Sequence, residues 1–291
     1  MTATAEPVGR MDVDARAGRR ARRGYDLGVV RAIVAKDLAA IRRSKAIMVP
    51  MLLVPGILLL GLPAAIALAA RGGSGADLSG LLGRLPTEMV APILDRPPAE
   101  HLLLLVNGYL LLPLFLVVPL MVSAVLAADA FAGEKERRTL ETLLHLPVRE
   151  RDLYVAKLAV AYLPTMALSW SAFVVFCAIS NIIGWPVMGR IFLPTVEWLI
   201  VIGWVAPAVA ALGLGIMVRI SARANTTQEA NQLGGAVIMP LIIGTIGQAS
   251  GLLLLDPLLI GAIGLVVWVI ALWLIRGGMR RFSRDRIATR L

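Results

Sequence analysis

Residues 101–128 read HLLLLVNGYLLLPLFLVVPLMVSAVLAA, and no Asp, Glu, Lys or Arg interrupts them. An α-helix rises about 1.5 Å per residue, so about 20 such residues cross a hydrocarbon core of about 30 Å. A surface helix of a water-soluble protein would carry a polar face over this length, and this one has none. The stretch reads as a transmembrane helix, and the sequence on either side repeats the pattern. Ala46–Ala70 is uncharged and ends at Arg71-Gly72-Gly73. Leu158–Gly189 is free of charge, with Asn181-Ile-Ile-Gly-Trp-Pro186 marking its exit. Ile191–Val218 carries only Glu197, and Asn231–Leu255 and Pro257–Ile275 carry nothing ionic. The expected spans are 46–70, 102–128, 155–183, 191–218, 232–255 and 257–275, in a domain covering 46–276. The fold class is all-α: a polytopic integral membrane protein with six transmembrane helices.

Composition agrees. Hydrophobic residues make up 58% of the chain, so a soluble domain is excluded, while charged residues still make up 16% and must lie between the apolar runs. The net charge of +10 and a pI near 10.7 fit juxtamembrane anchoring against anionic lipid rather than nucleic-acid binding. Cys177 is the sole cysteine, which excludes an internal disulfide, and its apolar surroundings make it a small buried hydrophobe. His101 and His145 are far apart, so no His/Cys metal site is expected.

Lysine and arginine set the orientation. Of 29 such residues, 25 lie before the first span, between the second and third, between the fourth and fifth, or after the sixth. Only Arg71, Arg84, Arg96 and Arg190 lie on the other side. The positive-inside rule therefore places both termini in the cytoplasm, as in a multi-pass protein of the plasma (inner) membrane. The arginine-rich residues 1–24 read as a disordered cytoplasmic tail, and 277–291 as a basic cytoplasmic tail. No apolar segment follows the early arginines closely enough for a signal peptide. Residues 28–45 differ from the tail before them. Val30, Ile33, Val34, Leu38 and Ile41 share one helical stripe, the pattern of an amphipathic helix in the headgroup plane. Asp37 sits within that stripe, and a salt bridge to a basic residue of another cytoplasmic segment is expected for it. In the outer loop, 71–100, Leu78, Leu81, Leu82 and Leu85 predict a short helix.

Between the second and third spans lies Asp129-Ala-Phe-Ala-Gly-Glu-Lys-Glu-Arg-Arg-Thr-Leu-Glu-Thr-Leu-Leu-His-Leu-Pro147. Leu140, Leu143 and Leu144 form one helical face, and Glu134, Arg138, Glu141 and His145 the other. Pro147 stops this helix, and Asp152 is the expected N-cap of the next. A mixed-charge face opposite an apolar one suits docking of a cytoplasmic partner, although a solvated loop helix has the same pattern.

Glu134-Lys-Glu-Arg-Arg-Thr-Leu-Glu-Thr-Leu-Leu-His-Leu-Pro-Val148 and the following Arg151-Asp-Leu-Tyr-Val-Ala-Lys157 resemble the E-K-E-R-x-T-L-E-x-L-L-x-x-P-V…L-x-x-x-K block of ABC-2 type permeases. Lys36-Asp37-Leu38 with Arg42-Arg43 resembles their elbow helix. Glu229-Ala-Asn-Gln232, a mild departure from E-A-Q-Q, and Pro240 resemble the entry to their fifth helix. The resemblance implies an elbow helix over 28–45 with Lys36, Asp37 and Arg42. It also implies a coupling helix at about 133–146, contacting an ATPase through Glu134, Arg138, Thr139, Glu141 and Leu144. The partners it implies are a cytoplasmic ABC ATPase subunit and a second permease copy or paralogue. No G-x-x-x-x-G-K-[ST] loop occurs, so no cofactor is expected in this chain, and ATP and Mg would be bound by the partner subunit. The function implied is ATP-driven export. The alternatives are an importer permease, since Glu229–Gly234 is similar to the importer E-A-A loop, and a non-transport assembly or regulatory subunit. No nucleophile–base pair falls at helical spacing within the spans, which argues against an intramembrane enzyme. Glu197, the sole acidic residue within a span, is the candidate for a pathway role.

Overall fold

The computed structural model describes residues 26–71, 82, 87–133, 136, 149–224, 226–235 and 257–281. The helices, in chain order, are α1 (Leu27–Arg43), α2 (Lys45–Arg71), α3 (Thr87–Leu94), α4 (Pro98–Gly133), α5 (Glu150–Met188), α6 (Val196–Ser221), α7 (Thr227–Gly235) and α8 (Pro257–Arg281). Five of them, α2, α4, α5, α6 and α8, are long and apolar enough to cross a membrane. The expected span at 232–255 lies outside the described residues beyond Gly235, and so does the hairpin turn at Asp256. The tail 1–24, residues 282–291, and Leu78, Leu81 and Leu85 also lie outside them.

Prolines explain why the spans are not uniform α-helix. Proline has no N–H, and its ring clashes with the carbonyl four residues earlier. A local widening of the helix relieves both problems inside a bundle. Wide π-type turns occur at Ile57–Gly61, Leu104–Leu110 and Val201–Val205. Each lies just ahead of a proline: Pro63, Pro113 and Pro207. A fourth, Asp129–Gly133 at the end of α4, has no proline following it closely.

The core is built around α6, which packs on α4 at one side and on α8 at the other. Two of its glycines, Gly213 and Gly215, face opposite ways and admit both neighbours. A Cβ on Gly213 would lie 2.6 Å from Ser123 Oγ and 3.1 Å from the Leu120 carbonyl of α4. A Cβ on Gly215 would lie 2.8 Å from Leu274 Cβ of α8. Small residues let helices approach closely in a membrane, where burial of apolar surface gives little drive. Next to this seam, Phe115, Phe173, Phe176 and Trp198 join α4, α5 and α6. Their ring centres lie 4.8 to 6.4 Å apart in edge, tilted and stacked pairs. Trp198 is fully buried, and its Nε1–H donates to the Gly108 carbonyl within a wide turn, at 3.1 Å. Helices α1 and α2 pack on α5.

Several boundaries differ from the sequence expectation. Helix α5 runs through Pro186 to Met188 rather than ending near 183, and stops at Gly189, whose φ of 60° is a left-handed cap. The fourth span begins at Val196, not 191, because the Asn181 side chain claims the intervening backbone. Asn181 Oδ1 accepts from the N–H groups of Phe192 (2.9 Å) and Leu193 (3.3 Å), and Nδ2 donates to the Leu193 carbonyl (2.8 Å). The last helix continues to Arg281 instead of ending at 275, so 277–281 is helical rather than tail. Asp152 is not the N-cap of α5: the helix starts at Glu150, and Asp152 sits in its acidic first turn. In the connection between α2 and α4, Leu82 is buried with Val90, Ile93 and Leu105, and Val90 and Ile93 come from the unforeseen α3. Serine and threonine mostly bond their own helix, as in Ser123 to Leu120 O and Thr165 to Ala161 O. Asn107 Nδ2 to Ser180 Oγ, at 3.3 Å, is a bond between spans.

Candidate functional site

The end of the bundle that carries the α4–α5 connection gathers polar groups from most of the chain. Its centre is the turn Asp129–Gly133. Wide turns that no proline explains occur often at functional positions. Lys157, four residues after the buried Leu153 on α5, is 1% exposed and donates from Nζ to the Ala130 carbonyl at 2.9 Å. Its ammonium also lies 6.0 Å from the Phe131 ring centre. A buried ammonium is costly unless such groups receive it, so this bond pins α4 to α5 where α4 leaves the bundle.

Two further ties radiate from the same point. The ring of Tyr154 lies 6.0 Å from that of Phe131, and its hydroxyl donates to the Ile275 carbonyl of α8 at 2.9 Å. Gly278 leaves room for that hydroxyl, since a Cβ there would meet it at 2.5 Å. On the other side, Glu136 Oε2 accepts from both the N–H and the hydroxyl of Thr227, each at 2.9 Å. Thr226 Oγ1 accepts from the Glu229 N–H at 3.1 Å, the N-cap arrangement of α7. A Cβ at Gly133 would lie 3.0 Å from Asp129 Oδ1 and 3.3 Å from Thr227 Oγ1. The glycine therefore lets α4 and the start of α7 close on each other. One small region thus joins the ends of α4, α5, α7 and α8.

The residues predicted to contact an ATPase, Glu134, Arg138, Thr139, Glu141 and Leu144, lie outside the described residues. Within the expected coupling helix only Gly133 and Glu136 are described, and Gly133 still belongs to α4. On α1, Lys36 and Asp37 pair with each other at 3.1 Å, so the expected bridge from Asp37 to another segment is replaced by one to its neighbour. Lys36 is largely exposed and Asp37 partly buried, which is how adjacent residues straddle the edge of an amphipathic stripe. Arg42 is exposed in the last turn of α1, where the helix dipole favours a cation. Glu197 lies in the first turn of α6, where the dipole favours a carboxylate. The structure does not bring it to the Lys157 region. Instead, its end of the bundle is closed by Arg190 and Glu100 at 2.7 Å, with Glu100 buried. No group of His, Cys, Asp and Glu able to hold a metal occurs among the described residues.

Sequence reasoning missed the roles of four participants. Thr226 and Glu229 had a legible signal, the Thr-x-x-Glu capping pattern. Lys157 was read only as part of a motif, and Tyr154 had no signal, because its partner carbonyl is 121 residues away. A family model described as "ABC-2 family transporter protein" matches residues 31–262. No curated protein matches the chain.

Proposed function

The chain belongs to the ABC-2 transporter family of non-catalytic membrane permeases, and we propose that it is the membrane subunit of an exporter driven by a separate cytoplasmic ATPase. The family implies an ATP-binding-cassette complex; the direction of transport and the docking segment are our reading. In that reading the chain sits in the plasma membrane with both termini inside, paired with a second copy or a paralogue. ATP and Mg are held by the ATPase subunits.

The observation that carries the proposal is the Lys157 link to the Ala130 carbonyl. In our reading the segment that follows Gly133 in the sequence carries the docking residues Glu134, Arg138, Thr139, Glu141 and Leu144. A force applied to that segment reaches α5 through Lys157, α7 through Glu136 and Thr227, and α8 through Tyr154. Helices tied at one end respond together, which is what driving a pathway from outside the membrane requires.

The test is copurification of the full chain with its ATPase, followed by transport-coupled ATP hydrolysis. Reversal of Glu134 and Glu141 to Lys should abolish association. Lys157→Gln should leave association in place and lower substrate-stimulated hydrolysis. Intact association and transport after the double reversal would overturn the docking assignment, and absence of any copurifying ATPase would overturn the exporter reading.

A further inference from the structure

Near the ends of α6 and α8 closest to Tyr154, the sequence places Trp273, Arg276 and Gly277 on one face of α8 by their three- and four-residue spacing. Arg219, in the last turn of α6, reaches across to that face. Its guanidinium carbon lies 4.6 Å from the Trp273 ring centre, a cation–π stack. Glycine at 277 is what lets it lie there, because a Cβ would come within 2.6 Å of Arg219 Nη2. Arg219 Nε is buried with no hydrogen-bond partner among the described residues. Arg223, one turn further along, and Arg276 are both exposed. No carboxylate among the described residues pairs with any of the three.

Three guanidinium groups lie at the ends of two neighbouring spans, one of them fixed in place with a buried Nε–H short of a partner, and together they favour an anion. The Trp273 indole on which Arg219 stacks is 65% exposed, as aromatic side chains at the membrane interface are. Beyond it, away from the arginines, Leu265, Val266, Val269 and Ile270 of α8 present an exposed apolar track. An amphiphile with an anionic head and hydrocarbon chains matches both parts. Arginine forks suit phosphate oxygens in particular. We propose that Arg219, Arg223, Arg276 and Trp273 form a binding site for the phosphate headgroup of an anionic phospholipid, whose acyl chains lie along α8.

The experiment uses the full chain in detergent with chain-brominated phosphatidylglycerol or phosphatidylcholine, reading tryptophan quenching. Subtracting the signal of a Trp273→Phe variant isolates Trp273. Phosphatidylglycerol should quench it in preference to phosphatidylcholine. Each of Arg223→Gln and Arg276→Gln should reduce that preference about fivefold, the effect of one basic residue near an anionic surface. Both side chains are exposed, so these variants test the site even if Arg219→Gln fails to fold. Equal quenching by the two lipids, or a preference unmoved by the arginine variants, would overturn the proposal. Competition by millimolar inorganic phosphate as strong as that by lipid would also overturn it, assigning a free anion. Loss of the preference on binding the ATPase would overturn it too, assigning a protein contact.

Discussion

Helices α6 and α8 lie side by side, both are apolar, and they have opposite fates. In α6, 67% of the spanning window is buried inside the protein; in α8 only 22% is. Yet α8 has the highest mean hydropathy of the five spans. Hydropathy measures transfer out of water, and inside a bilayer both a lipid tail and a protein neighbour satisfy it equally. What separates the two helices is side-chain size. The buried residues of α6 include a run of small ones, Ala206, Ala208, Ala210, Ala211, Gly213 and Gly215. The outer face of α8 is Leu265, Val266, Val269, Leu272 and Trp273. Small residues admit a neighbouring backbone, and large ones fill space against fluid chains.

This contrast is easiest to break at tryptophan. Trp198→Ala should cost about 3–5 kcal/mol, because it empties a packed aromatic site and orphans the Gly108 carbonyl. Trp273→Ala, losing an exposed ring stacked on Arg219, should cost about 1 kcal/mol or less. Thermal unfolding of both variants in one detergent checks the difference, and similar losses would put α8 inside a packed interface. A finer test uses glycine. Gly213→Ala should destabilise by about 1–3 kcal/mol, since the new methyl group meets Ser123 and the Leu120 carbonyl. Gly261→Ala on α8, with nothing within 4 Å of the added atom, should stabilise by about 0.5–1 kcal/mol through helix propensity. Opposite signs in the same unfolding assay are the expected result. The smallest effect is expected at Leu265→Ala, within about 0.5 kcal/mol, because lipid closes over the shortened side chain. A loss of Leu-to-Ala core size there would instead indicate a protein neighbour on that face.

Much of the fold was legible in the sequence. Uninterrupted apolar runs located the five described spans, and the stripe through Val34 and Ile41 located α1, where Ile41 is buried. Two of the misplaced boundaries share one cause. At Asn181 and Gly189 the ends of helices are set by side-chain and backbone partners across a turn, not by where apolar residues stop. The site was legible to a smaller extent. The charge pattern drew attention to the α4–α5 connection, but Lys157, Tyr154 and Thr227 act through partners distant in sequence. Local periodicity carries no information about such pairs.

By itself, then, the amino-acid sequence determined that this is a helical membrane protein, and which of its residues are apolar enough to cross. Both follow from the cost of placing charge or unpaired backbone in hydrocarbon, a cost each residue incurs whatever its neighbours. Only the tertiary structure decided that α6 is central and α8 peripheral, that the wide turn at Asp129–Gly133 is held by Lys157, and that Arg219 lies over Trp273. Those are matters of which surfaces meet. Packing between helices of equal hydropathy depends on shape and on a few polar contacts, and these exist only once the chain has brought distant residues together.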